Sequence, residues 1–69
     1  MENSEKVKIS ENVRVYRAKH RLSQTEFGMI IGVSQRILSF LETESWRFIS
    51  NRTMLKIKEA VEELMAKDK

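Results

Sequence analysis

The stretch that decides the fold is residues 22–42, which read LSQTEFGMIIGVSQRILSFLE. Ser23 and Ser34 each stand where a side-chain oxygen can accept hydrogen bonds from the unpaired N–H groups at a helix start. Glu26 follows Ser23 by three residues, which is the sequence signature of a capping box. Gly32 can take the left-handed backbone conformation that ends many helices. The stretch therefore predicts two short helices joined by a sharp turn, which is a helix-turn-helix unit.

The helical pattern continues outward from this unit in both directions. Apolar residues recur at spacings of three and four among charged ones, the chain has no proline, and its two glycines lie within the central stretch. Ser50 is a third capping serine, and each serine stands inside the apolar pair of a hydrophobic staple. The pairs are Leu22 with Phe27, Val33 with Leu38, and Ile49 with Met54. The sequence predicts an all-α fold with helices over residues 10–20, 24–31, 35–43 and 51–66.

A chain of 69 residues can build one small core. We expect a folded domain over residues 9–66, a flexible N-terminal segment over 1–8 and a flexible C-terminal segment over 67–69. Helical periodicity indicates which apolar side chains point inward. The predicted core consists of Val13, Tyr16, Leu22, Phe27, Ile31, Val33, Leu38, Leu41, Leu55, Ile57, Val61 and Leu64.

Composition argues against several classes of protein. The chain has no cysteine, so disulfides and thiolate metal sites are excluded and a cytoplasmic location is expected. No apolar stretch approaches the roughly 20 residues of a membrane span, and residues 1–5 lack the character of a signal peptide. Catalysis has few side chains to use, because there is one histidine, His20, and no glycine-rich phosphate loop. We expect no membrane association, no enzyme activity, no cofactor and no metal site.

The net charge of +3 arises from 13 lysines and arginines against 10 acidic residues, so the surface is mixed rather than polycationic. The excess is unevenly distributed, because residues 11–36 contain five cations and two acids and so carry the whole net charge. The cations are Arg14, Arg17, Lys19, Arg21 and Arg36, and the acids are Glu11 and Glu26. A local basic excess of this kind favours a nucleic-acid partner.

Three short motifs carry a resemblance to a known family. They are LSQTEFG at residues 22–28, IGVS at 31–34 and LSFLE at 38–42. In this pattern the chain resembles the lambda-repressor-like, or xenobiotic-response-element, helix-turn-helix family, and the likeness extends over about residues 10–61. The resemblance implies a small four- to five-helix domain that binds double-stranded DNA, usually as a homodimer. It favours a transcriptional regulator, and a repressor above all.

The same resemblance implies roles for individual residues. Gln24 would contact a DNA phosphate, while Arg17 and Glu42 would form a structural ion pair between the first helix and the recognition helix. The candidate base contacts are Gln35, Arg36, Ser39 and Phe40. The further candidate phosphate contacts are Thr43, Arg47 and Arg52. A glutamine amide suits adenine and a guanidinium suits guanine in the major groove, although Gln35 and Arg36 could equally be ordinary surface residues of a first helical turn.

Four apolar residues depart from the family pattern, because they fall where an exposed face is expected. They are Met29, Ile30, Ile37 and Phe40. Contact with thymine methyl groups, binding of a second subunit or another protein, and coverage by a neighbouring helix are three open explanations. An alternative function follows from the second explanation. It is a protein-interaction module, of the kind found in antitoxins and anti-regulators, that binds DNA weakly or not at all.

The loop after the recognition helix and the end of the first helix also differ from relatives. Residues 43–49 form a longer segment, in which we expect Trp46 and Phe48 to anchor the loop to the core or to a partner. Arg21 replaces the glycine that commonly ends the first helix, so that end should be shaped differently. A dimer interface is expected on the last helix, where apolar residues continue beyond the matched region. These residues are Val61, Leu64 and Met65.

Overall fold

The computed structural model describes residues 2–43 and 45–68. Helix α1 spans Asn3–His20, α2 spans Gln24–Ile31 and α3 spans Gln35–Glu42. A short 3₁₀ turn at Trp46–Phe48 leads to helix α4 at Asn51–Lys67. The described part of the chain contains no strand, so the fold belongs to the all-α class, as predicted. None of these helices combines the length and the apolarity needed to cross a bilayer.

Helix α1 begins seven residues earlier than predicted, so the expectation of a flexible segment over residues 1–8 is wrong for residues 3–8. Ile9 is buried, and the ammonium group of Lys6, also buried, donates a 3.2 Å hydrogen bond to the carbonyl of Ile49. The N-cap residue Glu2 makes no side-chain capping bond. The sequence therefore carries no local start signal here, and the early turns are held by packing against a distant segment.

The turn between α2 and α3 follows the prediction. Ser23 and Glu26 form the capping box, with 3.0 Å bonds in both directions, and Gly32 has a φ of 73°. The bond from the Ser23 N–H holds the pKa of the Glu26 carboxyl below its ordinary value. Ser34 caps α3 by accepting from the N–H of Ile37 at 3.3 Å. Ser50 caps α4 in the same way, so all three predicted capping serines are confirmed.

The turn between α2 and α3 contacts both α2 and α4. The N–H of Val33 donates a 2.9 Å bond to the carbonyl of Gly28. A Cβ atom built on Gly28 would lie only 2.4 Å from the Val33 carbonyl oxygen, so the α2 backbone approaches the turn more closely than any side chain allows. From the opposite side, the Lys56 ammonium of α4 donates a 2.8 Å bond to the carbonyl of Gly32.

The core lies where α1, α2, α3 and α4 meet. Its buried members are Ile9, Val13, Phe27, Ile31, Leu38, Leu41, Ile49, Met54, Ile57 and Val61. Tyr16, Leu22, Val33 and Leu64 pack against this cluster and are half-buried. The prediction of Leu55 as a core residue is wrong, because Leu55 is 46% exposed and Met54 takes the inward position.

The ends of α1 and α4 are tied to each other. Asp68 pairs with Lys19 at 2.6 Å and with His20 at 3.1 Å. The expectation of a flexible segment over 67–69 is therefore wrong for Lys67, which is helical, and for Asp68; residue 69 lies outside the described residues. Arg21 ends α1 with a φ of 53°, so a non-glycine residue adopts the left-handed conformation there.

Candidate nucleic-acid interface

The first turn of α3 presents two of the candidate base contacts to solvent. The Ser34 cap fixes where the helix begins, and Gln35 and Arg36 directly after it are both exposed. Ser39 lies about one turn further along and is half-buried. The candidate residues with the longest polar side chains are therefore at the N-terminal end of α3, where a helix entering a groove makes its base contacts.

Gln35 belongs to a chain of hydrogen bonds that starts at the core. Arg17 of α1 donates from Nε to Oε2 of Glu42 at 3.2 Å, and its Nη2 lies 3.1 Å from Oε1 in the same ion pair. Gln24 donates from Nε2 to the same Oε2 at 3.2 Å. Gln35 in turn donates from Nε2 to Oε1 of Gln24 at 3.2 Å. This series of hydrogen bonds links α1, α2 and α3.

The carboxylate of Glu42 determines which groups donate and which accept along this series of hydrogen bonds. An ionised carboxylate only accepts hydrogen bonds, so Gln24 must turn its NH₂ group toward Glu42 and its oxygen toward Gln35. Gln35 must then turn its own NH₂ group toward Gln24. The Oε1 atom and one N–H of Gln35 remain for a ligand. Glu42 and Arg17 are only 11% and 19% exposed at their side chains, so water competes little for this arrangement.

Arg36 lies along the outer face of α3. Its guanidinium carbon is 5.7 Å from the ring centre of Phe40, one helical turn further on. This cation–π contact is worth about 0.5–1 kcal/mol at an exposed site and restricts the guanidinium. Phe40 itself is 36% exposed. The two side chains form one composite surface of charge and aromatic carbon.

The remaining phosphate candidates lie beyond α3. The Thr43 hydroxyl donates a 3.2 Å bond to the carbonyl of Phe40, so it serves the helix end. Arg47 is exposed and lies 6.0 Å from the ring centre of Phe48. Arg52 is exposed in the first turn of α4. Hydrogen bonds thus bring Gln24 and Gln35 together, but they do not join these three residues to that pair.

A cleft of about 330 Å³ opens between α1, the end of α3 and the 3₁₀ turn. Thr43 and Arg47 line it, together with Arg14 of α1, which the resemblance did not single out. Arg14 lies one turn before Arg17 on the same stripe of α1. This spacing of three is the sequence signal that could have identified it.

The predicted apolar patch is smaller than expected. Met29 and Ile30 are 74% and 52% exposed on α2. Ile37 packs against the core and is half-buried, so its expected position on the outer face is wrong. Phe40 is partly covered by Arg36. The exposed apolar surface of this region is therefore chiefly that of Met29 and Ile30.

The loop and the last helix require two further corrections. Trp46 packs against the core, as expected, whereas Phe48 is 79% exposed and does not anchor the loop to the core, because Ile49 takes the buried position beside it. Val61 is 1% exposed, so it belongs to the core and is not available for a dimer interface. Leu64 also packs against the core, and Met65 is 37% exposed.

His20, Lys19 and Asp68, which lie outside the candidate interface, contact one another at the ends of α1 and α4. The ring of His20 packs against that of Tyr16 at a tilt of 34°, with centres 4.3 Å apart, and its Nε2 lies 3.1 Å from Oδ1 of Asp68. Bonds from Lys19 and then His20 hold the pKa of Asp68 below its ordinary value. Within residues 2–43 and 45–68, no three acidic, histidine or cysteine side chains are grouped as a metal site would require.

Comparison of the chain with protein-family models, with curated proteins and with solved structures gives no match.

Proposed function

We propose that this chain is a sequence-specific double-stranded DNA-binding protein with a lambda-repressor-like fold, and that it acts as a transcriptional regulator. The observation that carries the proposal is the bond between Gln24 and Gln35, with Gln24 braced in turn by Glu42. It presents the free amide groups of Gln35 at the exposed N-terminal end of α3. An amide restrained in this way loses less side-chain entropy when it binds a base.

The proposed mode of binding places α3 in the major groove. Gln35 then recognises adenine and Arg36 recognises guanine, each bidentate contact giving about 1–3 kcal/mol of discrimination. Phe40 and the methylene group of Ser39 face the groove one turn later. The half-buried position of Ser39 restricts it to a short-range contact.

Phosphate contacts position the domain in this proposal without reading sequence. Gln24 keeps one N–H for a phosphate after it has bonded to Glu42. Arg47 and Arg52, both exposed, add affinity that depends on salt. A homodimer reading two half-sites about one helical turn apart completes the proposal. The family resemblance favours a repressor of transcription, and the composition favours a cytoplasmic protein without enzyme activity.

The experiment is selection of binding sites from a random duplex pool at physiological salt. The wild type is compared with the Gln35→Ala/Arg36→Ala double variant and with Lys8→Ala, which removes an exposed charge from α1. We expect the wild type and Lys8→Ala to enrich the same palindromic motif and the double variant to lose it. Absence of enrichment by the wild type would refute sequence-specific binding.

A second candidate function rests on Met29 and Ile30. Their exposure leaves apolar surface beside a groove that Ile30 shares with Ala60 and Leu64. A protein-interaction module would use this surface and bind DNA weakly. The two functions differ in salt dependence, because DNA affinity falls with a log–log slope of about −0.9 for each phosphate neutralised. Binding that survives high salt and disappears in Met29→Ser/Ile30→Ser would favour the protein-interaction function.

A further inference from the structure

We propose that the cleft between α1, the end of α3 and the 3₁₀ turn binds a DNA backbone phosphate through Arg14 and Arg47. The proposal rests on the proposed function and adds Arg14 to it as a contact. The cleft measures about 330 Å³, and both guanidiniums line it. They come from separate elements, so a phosphate bound between them would link α1 to the 3₁₀ turn.

The position of Arg14 follows from the geometry of α1. Val7, Ser10, Arg14 and Arg17 are spaced by three and four residues, which places them on one stripe of the helix. Ser10 donates a 2.7 Å bond to the carbonyl of Leu41, and Arg17 binds Glu42. These bonds at the neighbouring turns fix the stripe against the end of α3. Arg14 is therefore held at the cleft by its own helix rather than by a flexible loop.

The charge of the cleft favours an anion. The ion pairs among the described residues involve Arg17, Lys19, His20 and Lys67, and none of them involves Arg14 or Arg47. Glu42 also lines the cleft, but Arg17 compensates its charge, with Nη2 3.1 Å from Oε1, and Oε2 accepts from both Arg17 and Gln24. The two guanidiniums can each offer a pair of N–H groups to phosphate oxygens, which is the geometry that arginine provides best.

The carbonyl end of a helix ordinarily repels an anion, and here that end is largely satisfied. The Thr43 N–H bonds the carbonyl of Ser39 at 3.1 Å, and the Thr43 hydroxyl bonds that of Phe40 at 3.2 Å. Ser10 bonds the carbonyl of Leu41. Both hydroxyls in the cleft are thus used as donors to the helix. Recognition of the phosphate falls to the two arginines, and Thr43 prepares the site instead of binding in it.

The dimensions of α3 indicate that the phosphate belongs to a duplex. The eight residues of α3 make a helix about 12 Å long, which is close to the width of the major groove at about 12 Å. Gln24 lies beside the N-terminal end of α3, through its bond to Gln35, and the cleft lies at the other end. Phosphates of the two strands that border one groove can therefore be contacted at the same time.

The test uses a reporter that the protein already contains. Trp46 lines the cleft and is the one tryptophan of the chain. Its fluorescence is followed during titration with a selected duplex, and separately with inorganic phosphate and with chloride at equal ionic strength. Arg14→Gln is compared with Lys8→Gln, which removes a charge from the same helix at its groove with α4. Circular dichroism melts establish that both variants are folded.

We expect Arg14→Gln to weaken binding of all duplexes, to lower the salt slope by about 0.9 and to abolish the Trp46 response, with the selected motif unchanged. Lys8→Gln should behave as wild type. If Arg14→Gln and Lys8→Gln have the same affinity, salt slope and Trp46 response, the proposal is overturned. Base recognition by α3 is not affected by that result. Saturation by inorganic phosphate with no response to duplex overturns it in favour of a small phosphorylated ligand. The wild type could select no motif and still show a Trp46 response to duplex that Arg14→Gln abolishes. That result would refute only the sequence-specific binding of the proposed function.

Discussion

The carbonyl oxygen of Val33 occupies the space that a side chain at Gly28 would need, because a Cβ atom at position 28 would lie only 2.4 Å from that oxygen. Both groups are main chain or directly attached to it, so neither can rotate away. The close approach keeps the turn between α2 and α3 short and so determines how the first turn of α3 is presented.

Gly28→Ala is expected to destabilise the protein by about 2 kcal/mol, because relieving the clash displaces the turn and this outweighs the better helix propensity of alanine. Urea denaturation followed by circular dichroism measures the change. Thr25→Ala, at an exposed position of the same helix, should alter the free energy of unfolding by no more than about 0.5 kcal/mol. A Gly28→Ala protein as stable as this control would contradict the close approach.

Glu42→Gln is expected to cost about 2 kcal/mol of stability, because it leaves the poorly exposed Arg17 without a charged partner. Glu63→Gln is the matched control, since it breaks the pair with Lys67 at 3.1 Å, in which both side chains are about 70% exposed. Exposed pairs contribute about 0–1 kcal/mol. Denaturation curves of the two variants measure the difference, and similar losses would show that burial of the Arg17 pair has no energetic effect.

The same substitution should also impair DNA selection. A glutamine at position 42 can donate as well as accept, so it no longer dictates which way the Gln24 amide faces. We expect the motif selected by Glu42→Gln to lose its preference at the base pair that the proposal assigns to Gln35, while its preferences at the other positions are kept. Unchanged preference in a folded variant would argue against orientation through the hydrogen-bond chain.

The stability of the protein should fall in acid through Asp68. Its bonds from Lys19 and His20 hold the Asp68 pKa below the ordinary value, so their stabilising effect is complete above the unfolded pKa of about 3.9 and is lost as the pH falls through the folded pKa. The melting temperature of Asp68→Asn should lie below that of wild type at pH 7, and the difference should shrink as the pH falls below about 3.9 and through the folded pKa. A difference that does not shrink during the acid titration would point to a different cause.

Two arginines should differ in how their loss affects DNA binding. Arg36→Ala is expected to relax specificity at one base pair by about 1–3 kcal/mol. Arg52→Ala should weaken binding to all sequences and reduce the salt slope by about 0.9. Binding isotherms with the selected duplex and single-base variants, at three salt concentrations, separate the two effects. If Arg36→Ala loses the same affinity for every duplex, Arg36 contacts phosphates and not a base.

The parts of the fold that depend on local chemistry were predictable from sequence. Ser23, Ser34 and Ser50 each accept from the N–H three residues later, so each cap could be recognised without knowledge of the fold. The beginning of α1 was not predictable in this way. It depends on Lys6 reaching the carbonyl of Ile49, which is 43 residues away in sequence.

Two errors in the predicted burial of apolar side chains have a common cause. Leu55 and Phe48 are apolar, but each has an apolar neighbour, Met54 and Ile49, that takes the buried position instead. The choice depends on the rotation of an element about its axis, which is set by packing against other elements. The candidate interface likewise combines features that could be predicted from sequence with features that could not. The polar residues of α3 could be named from sequence, whereas the bonding of Gln24 to both Glu42 and Gln35 required their positions in space.

The pairing of Asp68 with Lys19 and His20 fixes the end of α4 beside the end of α1. Helix α1 has 18 residues and is therefore about 27 Å long, which matches the longest dimension of the molecule, 28 Å. One end of the described chain lies at the start of this helix, and the other is tied to its far end. A circular permutant that joins them would need a connecting segment of at least about eight extended residues, and a shorter connection would have to break the Asp68 pairs.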